Sequence, residues 1–202
     1  TGQRAMAALR EKLDSQATDG VPPEVVARSA AFGKAVADHV LAWSQTDGGA
    51  VVTNMGFPLA WTVSDQPGHW VPTSRIIQQQ APLLPDWGKT RPMALPSGSA
   101  CPPPPPPAYS EAAGSAFMAE AMEVYQVSRD LTEDQRAIAA FWSDDPMLSP
   151  TPPGHWISIL LEIAARDGLD LRRTVDALAR LGIAISDGFI GCWDTKFRYD
   201  LI

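Results

Sequence analysis

The chain has 202 residues and a mass of 21.7 kDa, with 45% hydrophobic and 19% charged residues, enough apolar side chain for one sizeable domain or two small ones. A formal net charge of −7 and an isoelectric point near 4.9 repel phosphate backbones, and no Lys/Arg cluster stands above that background, which argues against nucleic acid as a partner. No apolar run approaches the roughly 20 residues needed to span a bilayer; Ile157–Ala165 and Leu181–Ile185 are short and amphipathic.

The chain opens on Thr1 rather than Met, so its true start is not in view and the compartment stays open. Cys101 and Cys192 are too few for a disulfide framework and neither has a Cys-x-x-Cys or a nearby His. The plain expectation is two isolated thiols, one of them buried in a helix, and no zinc site.

Three stretches follow. Residues 1–47 read as helical. Ala5, Ala8, Leu9 and Leu13 give a weakly amphipathic first helix that ends at Thr18-Asp19-Gly20. Pro22-Pro23 opens a second, where a missing N–H costs nothing, and Gly48-Gly49 is expected to end it. Residues 48–108 carry recurrent prolines and the unbroken run Pro102–Pro107, interspersed with Trp61, Trp70, Leu83, Leu84 and Trp87. A proline run fixes φ and removes donors, so it must be polyproline II or an irregular strap. The tryptophans favour an ordered strap packed across helices; the rival is a tethered linker that binds a Pro-recognising module.

Residues 109–202 return to helix. Ser115 to Val127 is amphipathic, Thr132-Glu-Asp-Gln135 is a capping box, and Asp144-Asp145-Pro146 is a helix stop. Pro152-Pro153 starts another helix, and Asp170 caps the last and longest. Along that helix, steps of three and four link Leu171, Val175, Leu178, Gly182, Ile185, Phe189, Cys192, Lys196 and Tyr199. A lysine on such a stripe is expensive unless an anion meets it or its ammonium snorkels out near the helix end. The final Phe197-Arg-Tyr-Asp-Leu-Ile202 has no Gly, Asn or Pro to close the helix, which suggests that the polypeptide continues.

These residues resemble a known family. Pro102 to Glu111, Asp130 to Pro146, Thr151-Pro-Pro-Gly-His-Trp156 and Asp187 to Tyr199 are similar, in order and spacing, to bacterial vanadium-dependent haloperoxidases of the type 2 phosphatidic acid phosphatase superfamily. Trp70-Val-Pro-Thr73 and Pro82-Leu-Leu-Pro-Asp-Trp-Gly88 look like that family's strap, and the likeness covers roughly residues 25 to 202. The resemblance implies an all-α helical bundle around a vanadate or phosphate oxyanion, with a long Pro/Trp-rich strap. It favours a periplasmic or secreted compartment.

The family's first signature is a Lys followed seven positions later by Arg-Pro. Lys196 matches the Lys, and the Arg falls one residue past Ile202. The Pro-Ser-Gly-His segment and the segment with the histidine that bonds vanadate lie further on. His39, His69 and His155 stand in neither, and His155 reads as structural. Lys196 is therefore the candidate catalytic and oxyanion-binding residue: its ammonium neutralises oxyanion charge, polarises bound peroxide in a haloperoxidase, or stabilises a transferring phosphoryl group in a phosphatase. Trp193 and Asp194 are weaker candidates, Asp194 being set to pair with Arg198 at i+4. Asp144 and Asp145 are weaker still, as carboxylates able to orient a distant arginine.

The resemblance implies an N-terminal enzyme portion completed by a C-terminal segment or second chain, acting on halide and peroxide or on a phosphate ester. Alternatives are a non-catalytic helical scaffold of the same fold, and a Pro-rich docking motif favoured by solvent exposure of Pro102–Pro107. A bundle with half a core would also seek a partner surface, a second copy included.

Overall fold

The computed structural model of the protein describes residues 2–49, 61–73, 82–144 and 149–201. Among these are six α-helices and no strand. The chain divides into two compact units, Thr1–Thr46 and Asp47–Ile202.

The first unit holds α1 (Gly2–Thr18) and α2 (Pro23–Ser44). Pro22 is the N-cap of α2 and Pro23 its first helical residue, where the proline φ is already helical. The helix stops at Ser44, before the expected Gly48-Gly49, because Gln45 and Thr46 already turn back onto the Trp43 carbonyl.

The second unit holds α3 (Ala116–Arg129), α4 (Glu133–Phe141), α5 (Thr151–Arg166) and α6 (Leu171–Tyr199). Ser115 Oγ caps α3 by accepting from the Met118 N–H at 3.1 Å. Thr132 and Gln135 close a reciprocal capping box on α4. Asp170 Oδ1 accepts from the Arg173 N–H at 2.8 Å and starts α6, which at 29 residues is about 44 Å long.

The 82–98 part of the strap lies along α6. Pro82, Pro85, Gly88, Thr90, Pro92 and Gly98 are buried, and Trp87–Lys89 forms one 3-10 turn against the helix. The approach is backbone to backbone: a Cβ on Gly88 would sit 2.4 Å from the Asp194 nitrogen, and one on Gly98 would sit 2.4 Å from the Gly88 carbonyl oxygen. Pro102–Pro106 leave this packing and are exposed, with Pro107 half-buried, so among the described strap residues the packing on α6 ends before the run.

Two expectations are corrected here. The most deeply buried face of α6 is not the apolar stripe ending at Lys196; it is Asp187 (4% exposed) and Ile190 (1%), the face that receives the strap. Periodicity passes over this face because Asp187 and Asp194 interrupt it with charge. The helix does close, at Asp200, which takes a left-handed conformation (φ 47°, ψ 43°) and donates its N–H to the Lys196 carbonyl at 2.8 Å. A short polar side chain tolerates that region at modest cost. Past it, Leu201 forms an antiparallel bridge with His69.

Candidate functional site

Lys196 lies on the last turn of α6, at a cleft of about 270 Å³ formed with Trp70, Leu83, Trp193, Phe197 and Asp200. It is exposed, with Nζ 4.7 Å from the centroid of the Trp193 ring. An ammonium over an indole face is held electrostatically without being neutralised. The indole is fixed in turn: its Nε1–H donates to the Leu83 carbonyl at 3.0 Å, tying the ring to the strap. Trp193 thus packs on the strap and also seats the lysine.

The carboxylates near Lys196 are committed elsewhere. Asp194 pairs with Arg198 at i+4, as the spacing suggests. Asp200 accepts from His69 Nδ1 at 3.0 Å, while its own carbonyl accepts from the Trp70 N–H at 3.1 Å. Lys196 has no carboxylate within 4.0 Å among the described residues.

His69 is delivered by a turn that needs glycine. Gly68 has φ +87°, and a Cβ there would meet the Tyr109 ring at 2.5 Å. Tyr109 is itself held edge-on by Phe117, with ring centroids 5.0 Å apart.

Behind the site, Asp187 clamps the strap. Its carboxylate accepts the Met93 and Ala94 N–H groups at 2.7 Å and that of Leu95 at 2.8 Å. Burial pushes this carboxyl up, but the three backbone donors outweigh it and hold the group below the ordinary carboxylate value.

Asp144, considered above as able to orient a distant arginine, has a local partner. It accepts from His155 Nδ1 at 2.9 Å, both side chains being largely buried, and so ties the end of α4 to the first turn of α5. Phe141 and Trp142 lie against the His155 ring at 4.6 and 5.0 Å. Asp145 lies outside the described residues. His155, expected to be structural at a helix start, is held between the Asp144 carboxylate and the two rings. Lys196, Trp193 and Asp194 gather at one end of α6, and Asp144 belongs to a separate catch.

Sequence reasoning missed His69, Asp187 and Asp200. Each acts across a separation of roughly 90 to 130 residues, with 131 between His69 and Asp200, so no local pattern announces it. Cys101 and Cys192 are free and both exposed, which corrects the expectation that one is buried. Among the described residues no group of three His, Cys, Asp or Glu is placed to hold a metal ion.

No protein-family model matches the chain, and no curated protein does. Among solved structures the likeness is definite: the chain has the all-α fold of a vanadium-dependent haloperoxidase. The structure it is similar to is described as the crystal structure of the first bacterial vanadium-dependent iodoperoxidase; the match covers 100% of this chain at 35% identity, with a TM-score of 0.80. The chain spans about half of that protein, 49% of its length.

Proposed function

We propose that this chain is the N-terminal portion of a vanadium haloperoxidase-like or phosphatase-like enzyme, in which Lys196 gives one positive charge to a bound vanadate or phosphate oxyanion. A C-terminal segment, on the same or a second chain, supplies the arginines and histidine that complete the site. The observation that carries this reading is the Lys196 ammonium: seated on Trp193, facing a cleft, with no carboxylate partner among the described residues.

That donor chemistry fits a tetrahedral oxyanion. A lysine serves it as a compact point charge, while bidentate contacts are left to guanidinium groups. Vanadate, when bound, supplies the centre at which peroxide is made reactive toward halide. The chain's own residues do three things. Lys196 balances anion charge, Trp193 holds Lys196 in place through its ring face, and Leu83 fixes Trp193 through its carbonyl. In a phosphatase the same ammonium stabilises charge on the transferring phosphoryl group.

The test is Lys196→Met in the enzyme completed by its C-terminal half, with orthovanadate affinity as readout. Losing one charge-assisted contact, worth about 1.5–3 kcal/mol, weakens binding about 10- to 100-fold. Unchanged affinity would overturn the assignment. Iodide or bromide oxidation, set against hydrolysis of an aryl phosphate, then separates peroxidase from phosphatase. A completed protein that binds neither anion is the non-catalytic scaffold.

The exposure of Pro102–Pro106 favours a second reading for that stretch alone, docking of a Pro-recognising partner in the polyproline II mode. Finding these rings covered by the C-terminal half in the completed protein sinks it.

A further inference from the structure

We infer that His69 is a positioning residue that keeps Lys196 available to an anion by occupying the Asp200 carboxylate. Asp200 is the carboxylate best placed to capture that lysine. It follows Lys196 by four residues, and the two backbones are bonded directly, Asp200 N–H to Lys196 carbonyl at 2.8 Å. Both side chains line the same cleft, and a lysine paired with that carboxylate presents a neutral surface to an incoming oxyanion.

The structure prevents this capture from the strap side. His69 Nδ1 lies 3.0 Å from Asp200 Oδ2, in a pair whose side chains are 36% and 20% exposed. The Trp70 N–H holds the Asp200 carbonyl, and His69 bridges Leu201, so the histidine is locked in register with the end of α6. Asp194, two residues before Lys196, is occupied by Arg198. With both carboxylates of the last turns engaged, Lys196 rests on the Trp193 ring instead. The arrangement holds for either protonation state of the imidazole, because a neutral ring still donates Nδ1–H to the carboxylate.

The inference rests on the oxyanion reading of Lys196, and two measurements keep their failures apart. The first uses the 202-residue chain and no anion. With the four lysines labelled at Cε, Lys196 is, among the described residues, the lysine whose signal is displaced by an indole ring current. In His69→Ala that displacement is lost as Lys196 swings to Asp200; in the double variant His69→Ala/Asp200→Asn it returns. His69→Gln, which keeps an N–H donor, stays like the wild type. If the Lys196 signal is the same in His69→Ala as in the wild type, the inference is overturned, whatever the chain binds. A displacement lost in both the single and the double variant points to local unfolding and overturns it too.

The second measurement is orthovanadate affinity in the completed enzyme. His69→Ala weakens it about 2- to 5-fold, the scale of a partly exposed ion pair, and Asp200→Asn added to it restores the affinity. Restoration marks charge competition; a residue serving only as packing gives no recovery. If Lys196→Met leaves orthovanadate affinity unchanged while the ring-current pattern holds, the oxyanion reading fails and the His69–Asp200–Lys196 relation stands.

Discussion

Asp187 shows how one side chain secures a long irregular segment. Three consecutive backbone N–H groups, Met93 to Leu95, converge on its carboxylate, and no regular element supplies partners for these groups. Asp187→Asn removes the charge and replaces one acceptor oxygen by a donor facing N–H groups. The expected cost is roughly 3 kcal/mol, since hydrogen bonds to a buried charge are worth about 1.5–3 kcal/mol each and part of the geometry survives. The pH dependence has a definite sign. The folded-state pKa lies below the unfolded value of about 3.9, so the clamp contributes in full above that pH and is lost as pH falls through the folded value. Thermal melts between pH 3 and 7 check this: the wild type loses stability at the acid end, and Asp187→Asn shows a flatter profile. A parallel loss in the two proteins refutes the assignment.

At the scale of elements, the strap and α6 are one structure. Glycine at 88 and 98 allows main chain to approach main chain, and the buried Pro82, Pro85 and Pro92 cost no unsatisfied N–H. Gly88→Ala places a methyl group 2.4 Å from the Asp194 nitrogen, and rigid helix backbone cannot yield. The strap must lift instead, breaking the Leu83–Trp193 bond. The expected loss is about 2–3 kcal/mol of stability, with a change in tryptophan emission that Lys89→Ala, on the exposed side of the same turn, does not cause. Much of this level was legible in the sequence. Capping residues are local, so Thr132, Asp170 and the Pro22-Pro23 start announced their helices within a residue or two. The strap was legible from its tryptophans. The face of α6 that it covers was not, because hydrophobic periodicity detects apolar contact, whereas here a carboxylate and glycine backbone make the interface. Lys196 was singled out by its place on the stripe and by family resemblance, with Trp193 named beside it; the Leu83–Trp193 and His69–Asp200 contacts, made between distant segments, were not.

For the whole second unit, the apolar surface is poorly covered. Ala164 and Ile190 are the buried aliphatic side chains among the described residues. Leu181, Ala184, Ile185, Phe189 and Cys192 face Trp156 across an open apolar groove of about 430 Å³. Ile185, Phe189 and Cys192 of the stripe read from the sequence as core-facing line this groove. Exposed apolar surface on this scale binds dyes and partners. The isolated chain is therefore expected to enhance anilinonaphthalene sulfonate fluorescence, and titration with the C-terminal half should abolish the enhancement. Native mass spectrometry would then show one copy of each. A groove that still binds dye in the completed protein would mean that the C-terminal half does not cover it.

The meeting of His69 with the end of α6 also has a consequence in time. Closing a loop of 131 residues costs roughly 2 kcal/mol more chain entropy than closing one of ten. Helices form from local contacts in about a microsecond, long before such distant segments find each other. The groups around Lys196 are therefore expected to be among the last to assemble during refolding. An anion that stabilises them would slow unfolding while leaving the early folding rate unchanged, the kinetic signature of a site built after its scaffold.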